Sequence, residues 1–148
     1  MSRVTVRAAR TDEAAAIAEL YLRSRRAAPG VPPPAHRDDE VRAWLTDSVL
    51  PRGTTWVALL DGALAAMMVL DGPWIEQLYV APEAQRRGCG TALLQHARSR
   101  GDELLLWTFE ANAAARAFYE AHGFCVDGPA DSDNEEGAPA LRYRWTRG

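Results

Sequence analysis

Residues 54–70, TTWVALLDGALAAMMVL, form two β-rich runs separated by Asp61-Gly62. A two-residue Asp-Gly link favours a tight hairpin, because both central positions must adopt positive φ, and it forces the flanking runs to pair antiparallel. WIEQLYV follows after Asp71-Gly72-Pro73, so three strands meander in succession. The pattern then changes to a helix from Gly90 to about Arg100, a strand ELLLWTF and a helix NAAARAFYEAH closed by Gly123. A short strand FCVDG, an acidic stretch DSDNEEG and a last strand ALRYRW complete the chain. Upstream, residues 3–9 alternate as a strand, and Thr11-Asp12 starts a helix with Ile17, Leu20, Tyr21 and Ser24 on one face. AAPGVPPPAHR is a stiff loop, since proline removes a backbone donor and clashes with a preceding helical turn. DDEVRAWLTDSVL carries Val41, Trp44, Leu45 and Ser48 at helical spacing. A hairpin meander followed by strand–helix–strand units predicts an α/β (α+β) fold with a mixed central sheet of about seven strands flanked by about four helices.

The chain's 148 residues, 47% hydrophobic and 25% charged, are expected to form a single domain over 1–148. A net charge of −3 argues against a nucleic-acid partner, which requires many phosphate-neutralising cations on one face. All of the positive side chains other than histidine are arginine; the chain has no lysine. Cys89 and Cys125 lack metal-ligand spacing and are expected to be free thiols. No window approaches the roughly 20 apolar residues of a membrane span, and the N-terminus lacks the apolar core of a signal peptide. A soluble, cytoplasmic protein with no membrane partner is the expectation.

Gln85-Arg-Arg-Gly-Cys-Gly90 stands where a strand-like run hands over to a helix-like run. A P-loop would need Gly-Lys-Ser/Thr there, and a dinucleotide fingerprint would need a third glycine where Leu93 stands. Neither fits. Gly88 and Gly90 nonetheless allow backbone conformations and close approach that a Cβ would block, leaving N–H groups of a helix start aimed at an anion. Arg86 and Arg87 add to that field. The alternative is a tight turn with two solvated arginines.

The segment LYVAPEAQRRGCGTALL resembles the acetyl-CoA-binding signature of the GNAT superfamily of acyl-CoA-dependent N-acyltransferases. A hydrophobic strand is followed by Pro82 and by Gln85, Gly88 and Gly90 at a helix start. NAAARAFYEAHGF is similar to that family's second signature, an Asn-initiated helix bearing a Phe-Tyr pair and closing with Gly-Phe. The two signatures occur in the family's order, and the order of elements resembles the GNAT fold over nearly the whole chain.

That resemblance implies acetyl-CoA as co-substrate, with no metal. Its pyrophosphate would meet the backbone N–H groups of Arg87, Gly88, Cys89, Gly90 and Thr91, flanked by Gln85 and Arg86. The pantetheine would lie along Leu78, Tyr79 and Val80, where a β-bulge in this family parts that strand from the next. An N–H near Leu78 or Tyr79 would hold the oxyanion. The second signature adds Asn112, Ala115, Arg116 and Tyr119 on one helical face, with Ala114, Ala117, Phe118 and Ala121 set against the sheet. Tyr119 is the candidate acid for the leaving thiolate; otherwise it is a half-buried aromatic with a wet hydroxyl.

The attacking amine must be neutral, and Glu76 is the candidate base or substrate orienter. Strand alternation places Trp74, Glu76, Leu78 and Val80 on one apolar face, where burial would push a carboxylate's pKa up. Trp74 shares that face and is a candidate for the acceptor pocket, whereas Trp44, Trp56, Trp107 and Trp145 read as core. His36 either walls the acceptor cleft or is an exposed loop histidine. DSDNEEG attracts a cationic amine if it overhangs the cleft and is a solvated loop if it does not. Cys89 has no activating base, and His122 belongs to a helix C-terminus. The predicted function is acetyl transfer to a primary amine, on a small molecule or a peptide N-terminus, by direct attack in a ternary complex. A non-catalytic acyl-CoA sensor of the same fold is the alternative, and the resemblance also allows a homodimer.

Overall fold

The computed structural model describes residues 2–148. Its strands are β1 (Val4–Ala8), β2 (Thr55–Leu60), β3 (Ala63–Asp71), β4 (Trp74–Val80), β5 (Glu103–Phe109), β6 (Cys125–Val126) and β7 (Ala140–Thr146). The helices are α1 (Ala14–Ala27), α2 (Asp38–Trp44), α3 (Cys89–Arg98) and α4 (Ala113–Ala121). All seven strands join one sheet in the order β1-β2-β3-β4-β5-β7-β6. Among the described residues no helix is long and apolar enough to cross a membrane.

The hairpin forms as its sequence dictates: Asp61 and Gly62 both take positive φ, at 51° and 84°, and Leu60 pairs with Ala63. Antiparallel pairing runs through β4, where Met68 faces Leu78 and Val69 faces Gln77. The register then slips. Leu70 faces Ile75, leaving Glu76 as an extra residue in β4. Such a bulge turns the strand and reverses which side chains face which layer. β4 meets β5 in parallel, with Trp74 opposite Leu105 as the registered pair and Leu105 N–H donating to the Pro73 carbonyl at 2.8 Å. Beyond that pair the two strands part.

Helices cover both faces. Ile17, Leu20, Tyr21 and Ser24 of α1 are buried, as their spacing predicts, and the Tyr21 ring meets Tyr79 of β4 edge-on at 4.9 Å. Ser24 Oγ donates to the Val80 carbonyl at 3.0 Å, fixing α1 to the end of β4. Val80 points the other way, towards α3 and Phe118 of α4. α3 buries Leu93, Leu94 and Ala97 completely. α4 is held by Tyr143 of β7, whose hydroxyl accepts from Arg116 Nε at 3.1 Å and donates to Glu120 at 2.6 Å.

Two helical faces differ from expectation. Past α2 the chain continues as a π-helical turn, Leu45–Val49, so the buried residues are Val41, Leu45 and Val49, four apart. The wider turn rotates Ser48 outward, and Trp44, ahead of it in α2, is exposed with its ring edge-on to Tyr21 at 6.0 Å. On α4, Tyr119 is buried and Ala115 and Phe118 pack on the core, whereas Ala114, Ala117 and Ala121 face solvent. The larger apolar side chains claim the sheet and leave the alanines outside.

Where β1 leads into α1, Arg7 grips Glu13 with two hydrogen bonds of 2.8 Å, and Glu13 also accepts from the Arg10 N–H at 2.9 Å. These donors, the Arg7 guanidinium first, hold the Glu13 carboxyl well below the usual range, at about 2. A lowered folded-state pKa means stability present above the ordinary value of 4.5 and lost as pH falls from there through about 2. Glu13→Gln is therefore expected to lose about 1–2 kcal/mol at neutral pH in urea denaturation. Its deficit relative to wild type should close as the pH approaches 2.

Candidate functional site

The parting of β4 from β5 creates a gap with different chemistry on each side. On the α3 side, Arg86 and Gly88 both adopt left-handed backbone, with φ of 64° and 88°. Residues in this conformation curl the chain so that successive N–H groups point into one concavity. Gly88 is the N-cap of α3, whose first N–H groups have no partner within the helix. Gly90 follows, tight against α4: a Cβ there would lie 3.0 Å from Phe118 Cζ. Gln85, Arg86 and Arg87 are exposed. Cys89 turns its thiol inward, where burial pushes its pKa up, so it presents only backbone to the turn. Thr91, half-buried in the first turn, bonds to His122 at 3.1 Å.

On the α1–α2 side lies a cavity of about 700 Å³ lined by Tyr21, Trp44, Tyr79, Trp107 and six carboxylates: Glu40, Glu76, Asp131, Asp133, Glu135 and Glu136. Only Arg25 and His36 among its lining residues oppose that charge. The stretch DSDNEEG does overhang the cavity. It is tethered by Glu135 to His36 Nε2 at 3.1 Å and by Glu136 to Arg25 Nη2 at 3.7 Å. His36 is exposed and also part of the wall, and the Glu135 hydrogen bond raises its pKa.

The bulge brings Glu76, Gln77 and Tyr79 together on the cavity side and sends Val80 to the opposite face. The expected alternation of Trp74, Glu76, Leu78 and Val80 on one face is thus broken at Glu76. Glu76 does not sit on a buried apolar face either: its side chain is 34% exposed and pairs with Arg52 at 3.1 Å. Trp74 does not line the cavity. Trp44 and Trp107, expected in the core, are 39% and 47% exposed and line it instead. In β5, Leu104, Leu106 and Thr108 are buried, so Trp107 belongs to the opposite phase, a signal that was present in ELLLWTF.

Tyr119 enters from α4, packed between Phe118 and Phe124. Burial first, and then the neighbouring Tyr79, push its hydroxyl pKa up. Asn112 and Arg116 have their polar groups committed within the protein. The Asn112 side chain caps α4 by accepting from the Ala115 N–H at 3.2 Å, and Arg116 binds Tyr143 and the Glu110 carbonyl.

The profile of the acetyltransferase (GNAT) family matches residues 14–124. The chain belongs to the GNAT acetyltransferase family. It is 34% identical over 128 residues to the peptidyl-lysine N-acetyltransferase YiaC of Escherichia coli K12, covering 82% of this chain and 83% of that one. The solution structure of apo YjaB from Escherichia coli superposes with a TM-score of 0.82 at 25% identity, over 99% of both chains. The PaiA N-acetyltransferase of Thermoplasma acidophilum, solved in complex with coenzyme A, shares the fold with a TM-score of 0.69 at 16% identity, over 97% of this chain and 99% of that one.

The proline-rich loop that walls the acetyltransferase's acidic cavity docks through Gly30. With φ at 83°, a Cβ on Gly30 would lie 2.0 Å from the Ala111 carbonyl oxygen, beside the Asn112 cap. Both the backbone angle and the space exclude a side chain there. Gly30→Ala is expected to cost about 2–3 kcal/mol or more in thermal or urea unfolding. Gly53→Ala, also at positive φ but facing open space, is expected to cost only the backbone strain, about 1–2 kcal/mol.

Proposed function

We propose that this acetyltransferase transfers the acetyl group of acetyl-CoA directly to the side-chain amine of a lysine in a peptide, within a ternary complex. The observation that carries this reading is the gap between β4 and β5, with an anion-accepting helix start on one side and an acidic, aromatic cavity on the other. The sequence resemblance implied a small-molecule amine or a peptide N-terminus. The peptidyl-lysine relative and a cavity with six carboxylates favour a cationic lysine side chain.

The residues fit the donor. The left-handed turn at Arg86–Gly88 and the first N–H groups of α3 suit its pyrophosphate, with Arg86 adding charge. Past Trp74, the backbone of Leu78, Tyr79 and Val80 is released from β5 and can pair with the amides of pantetheine. An N–H at Leu78 or Tyr79 would hold the oxyanion; losing one such donor costs about 10²–10³ in rate where measured. Bound there, acetyl-CoA supplies an activated thioester at the gap.

On the cavity side, the carboxylates attract the ammonium form of lysine, and one proton must leave before attack. Glu76, reached from the cavity and held by Arg52, takes that proton through water or orients the amine. The neutral nitrogen then forms the C–N bond as the C–S bond breaks. The sulfur takes the Tyr119 proton, which burial keeps on the phenol throughout the working pH range. The nitrogen's second proton returns through water to the Tyr119 phenolate and the first passes to solvent, so one proton is released per turnover. The presence of both groups favours turnover over an acyl-CoA sensor.

Thiol release and mass spectrometry with acetyl-CoA and a lysine peptide test this reading. The chain has no lysine of its own, so every acetyl-lysine detected comes from the peptide. Tyr119→Phe is expected to lower kcat at least about tenfold with CoA binding intact. Glu76→Gln is expected to remove the acid limb of the kcat/KM profile if the carboxylate is the base, and to raise KM alone if it orients the amine. Tight acetyl-CoA binding with no turnover on lysine peptides or N-terminal amines would overturn the proposal.

A further inference from the structure

We propose that His122 is a positioning residue for the anion site of α3, setting the direction in which the Thr91 hydroxyl donates. The inference rests on the reading that this helix start receives a pyrophosphate.

His122 lies half-buried just past α4, with both ring nitrogens engaged. Nδ1 is 2.7 Å from the Phe118 carbonyl oxygen. A carbonyl only accepts, so Nδ1 carries a hydrogen. Nε2 lies 3.1 Å from Thr91 Oγ1. On a neutral ring, Nε2 then has only a lone pair, and the Thr91 hydroxyl must donate to it. Spending its hydrogen there leaves Thr91 with only lone pairs to offer elsewhere, and these repel a phosphate oxygen. A proton on Nε2 reverses the sense: the ring donates to Oγ1, and the hydroxyl hydrogen is released towards the first turn of α3.

The charges around the ring make this reversal depend on the ligand. Arg98 of α3 donates to the His122 carbonyl and lies over Trp145 at 5.3 Å. Phe118, tilted 4.5 Å away on the ring's own helix, and Thr91 carry no charge. From the loop before α3 come Arg86 and Arg87, both exposed, with Arg87 reaching Ser2 at 3.4 Å. The carboxylate on the ring's own helix, Glu120, is engaged by the Tyr143 hydroxyl at 2.6 Å, and a pyrophosphate at the start of α3 is the group that adds the negative charge favouring a proton on His122. Proton uptake by His122 and anion binding must then favour each other, because such coupling is reciprocal. A residue that only capped α4 would give no such linkage.

The probe is 3′-dephospho-CoA, whose pyrophosphate does not titrate in the histidine range, compared with pantetheine, which lacks the pyrophosphate. Calorimetric Kd values are measured for both from about pH 5.5 to 8, bracketing the histidine range. In wild type, the advantage of dephospho-CoA over pantetheine is expected to shrink at least about fivefold as the pH rises. His122→Gln and Thr91→Val should give a ratio that no longer varies with pH. Nitrogen-edited NMR of the wild-type His122 ring supplies a second readout, independent of whether the variants fold: Nδ1–H alone without ligand, and an added proton at Nε2 with dephospho-CoA at the same pH. A flat wild-type ratio, a pH slope that survives in His122→Gln, or a ring that gains no proton on binding overturns the role of His122. If dephospho-CoA binds no better than pantetheine at any pH, the pyrophosphate site fails, and the inference fails with it.

Discussion

One extra residue in a strand organises this molecule. Glu76 has no partner of its own on β3, and from that point β4 turns away from β5 after a registered contact at Trp74 and Leu105. Two neighbouring strands would normally satisfy each other's backbone groups along their length. Here the separation exposes a polar edge at Leu78–Val80 in the middle of the sheet, where an extended amide-bearing ligand can pair. The same bulge turns Tyr79 towards α1 and Val80 towards α3 and α4. The two halves of the site are therefore fixed by one register slip.

The two sides of the gap are tuned to opposite charges. On one, left-handed residues at 86 and 88 and a helix start gather N–H groups. On the other, six carboxylates line a cavity that five segments build: α1, the proline-rich loop, α2, β4–β5 and the stretch before β7. Like charges at this density repel, and their only counterions in the lining are Arg25 and His36, each paired to the acidic stretch. The excess negative charge suits an acceptor that arrives as a cation, at the cost of requiring a route for its proton to leave.

Much of this was legible in sequence because it is local. Asp61-Gly62 specified its hairpin, the α1 face at Ile17, Leu20, Tyr21 and Ser24 followed a 3.6-residue period, and the glycines at 88 and 90 marked the helix start. What sequence reading missed is non-local or breaks a period. In WIEQLYV the adjacent polar Glu76 and Gln77 interrupt a two-residue period, and the bulge that the resemblance implied near Leu78–Val80 falls instead at Glu76, moving that side chain off a buried face and separating it from Trp74. The π turn at 45–49 shifted Ser48 outward by the same kind of slip. Arg25 escaped notice because its partner Glu136 is far away in sequence, and burial of Tyr119 in place of the α4 alanines reflects packing volume rather than spacing.

The most direct measurement of the account is an amide chemical-shift map of the protein titrated with acetyl-CoA. Perturbations centred on Leu78–Val80 and on Arg87–Thr91, the two segments that border the β4–β5 gap, are the expected result. Perturbations centred instead on the separate cavity beside Thr54, Trp56 and Arg100, with those two segments unmoved, would contradict it.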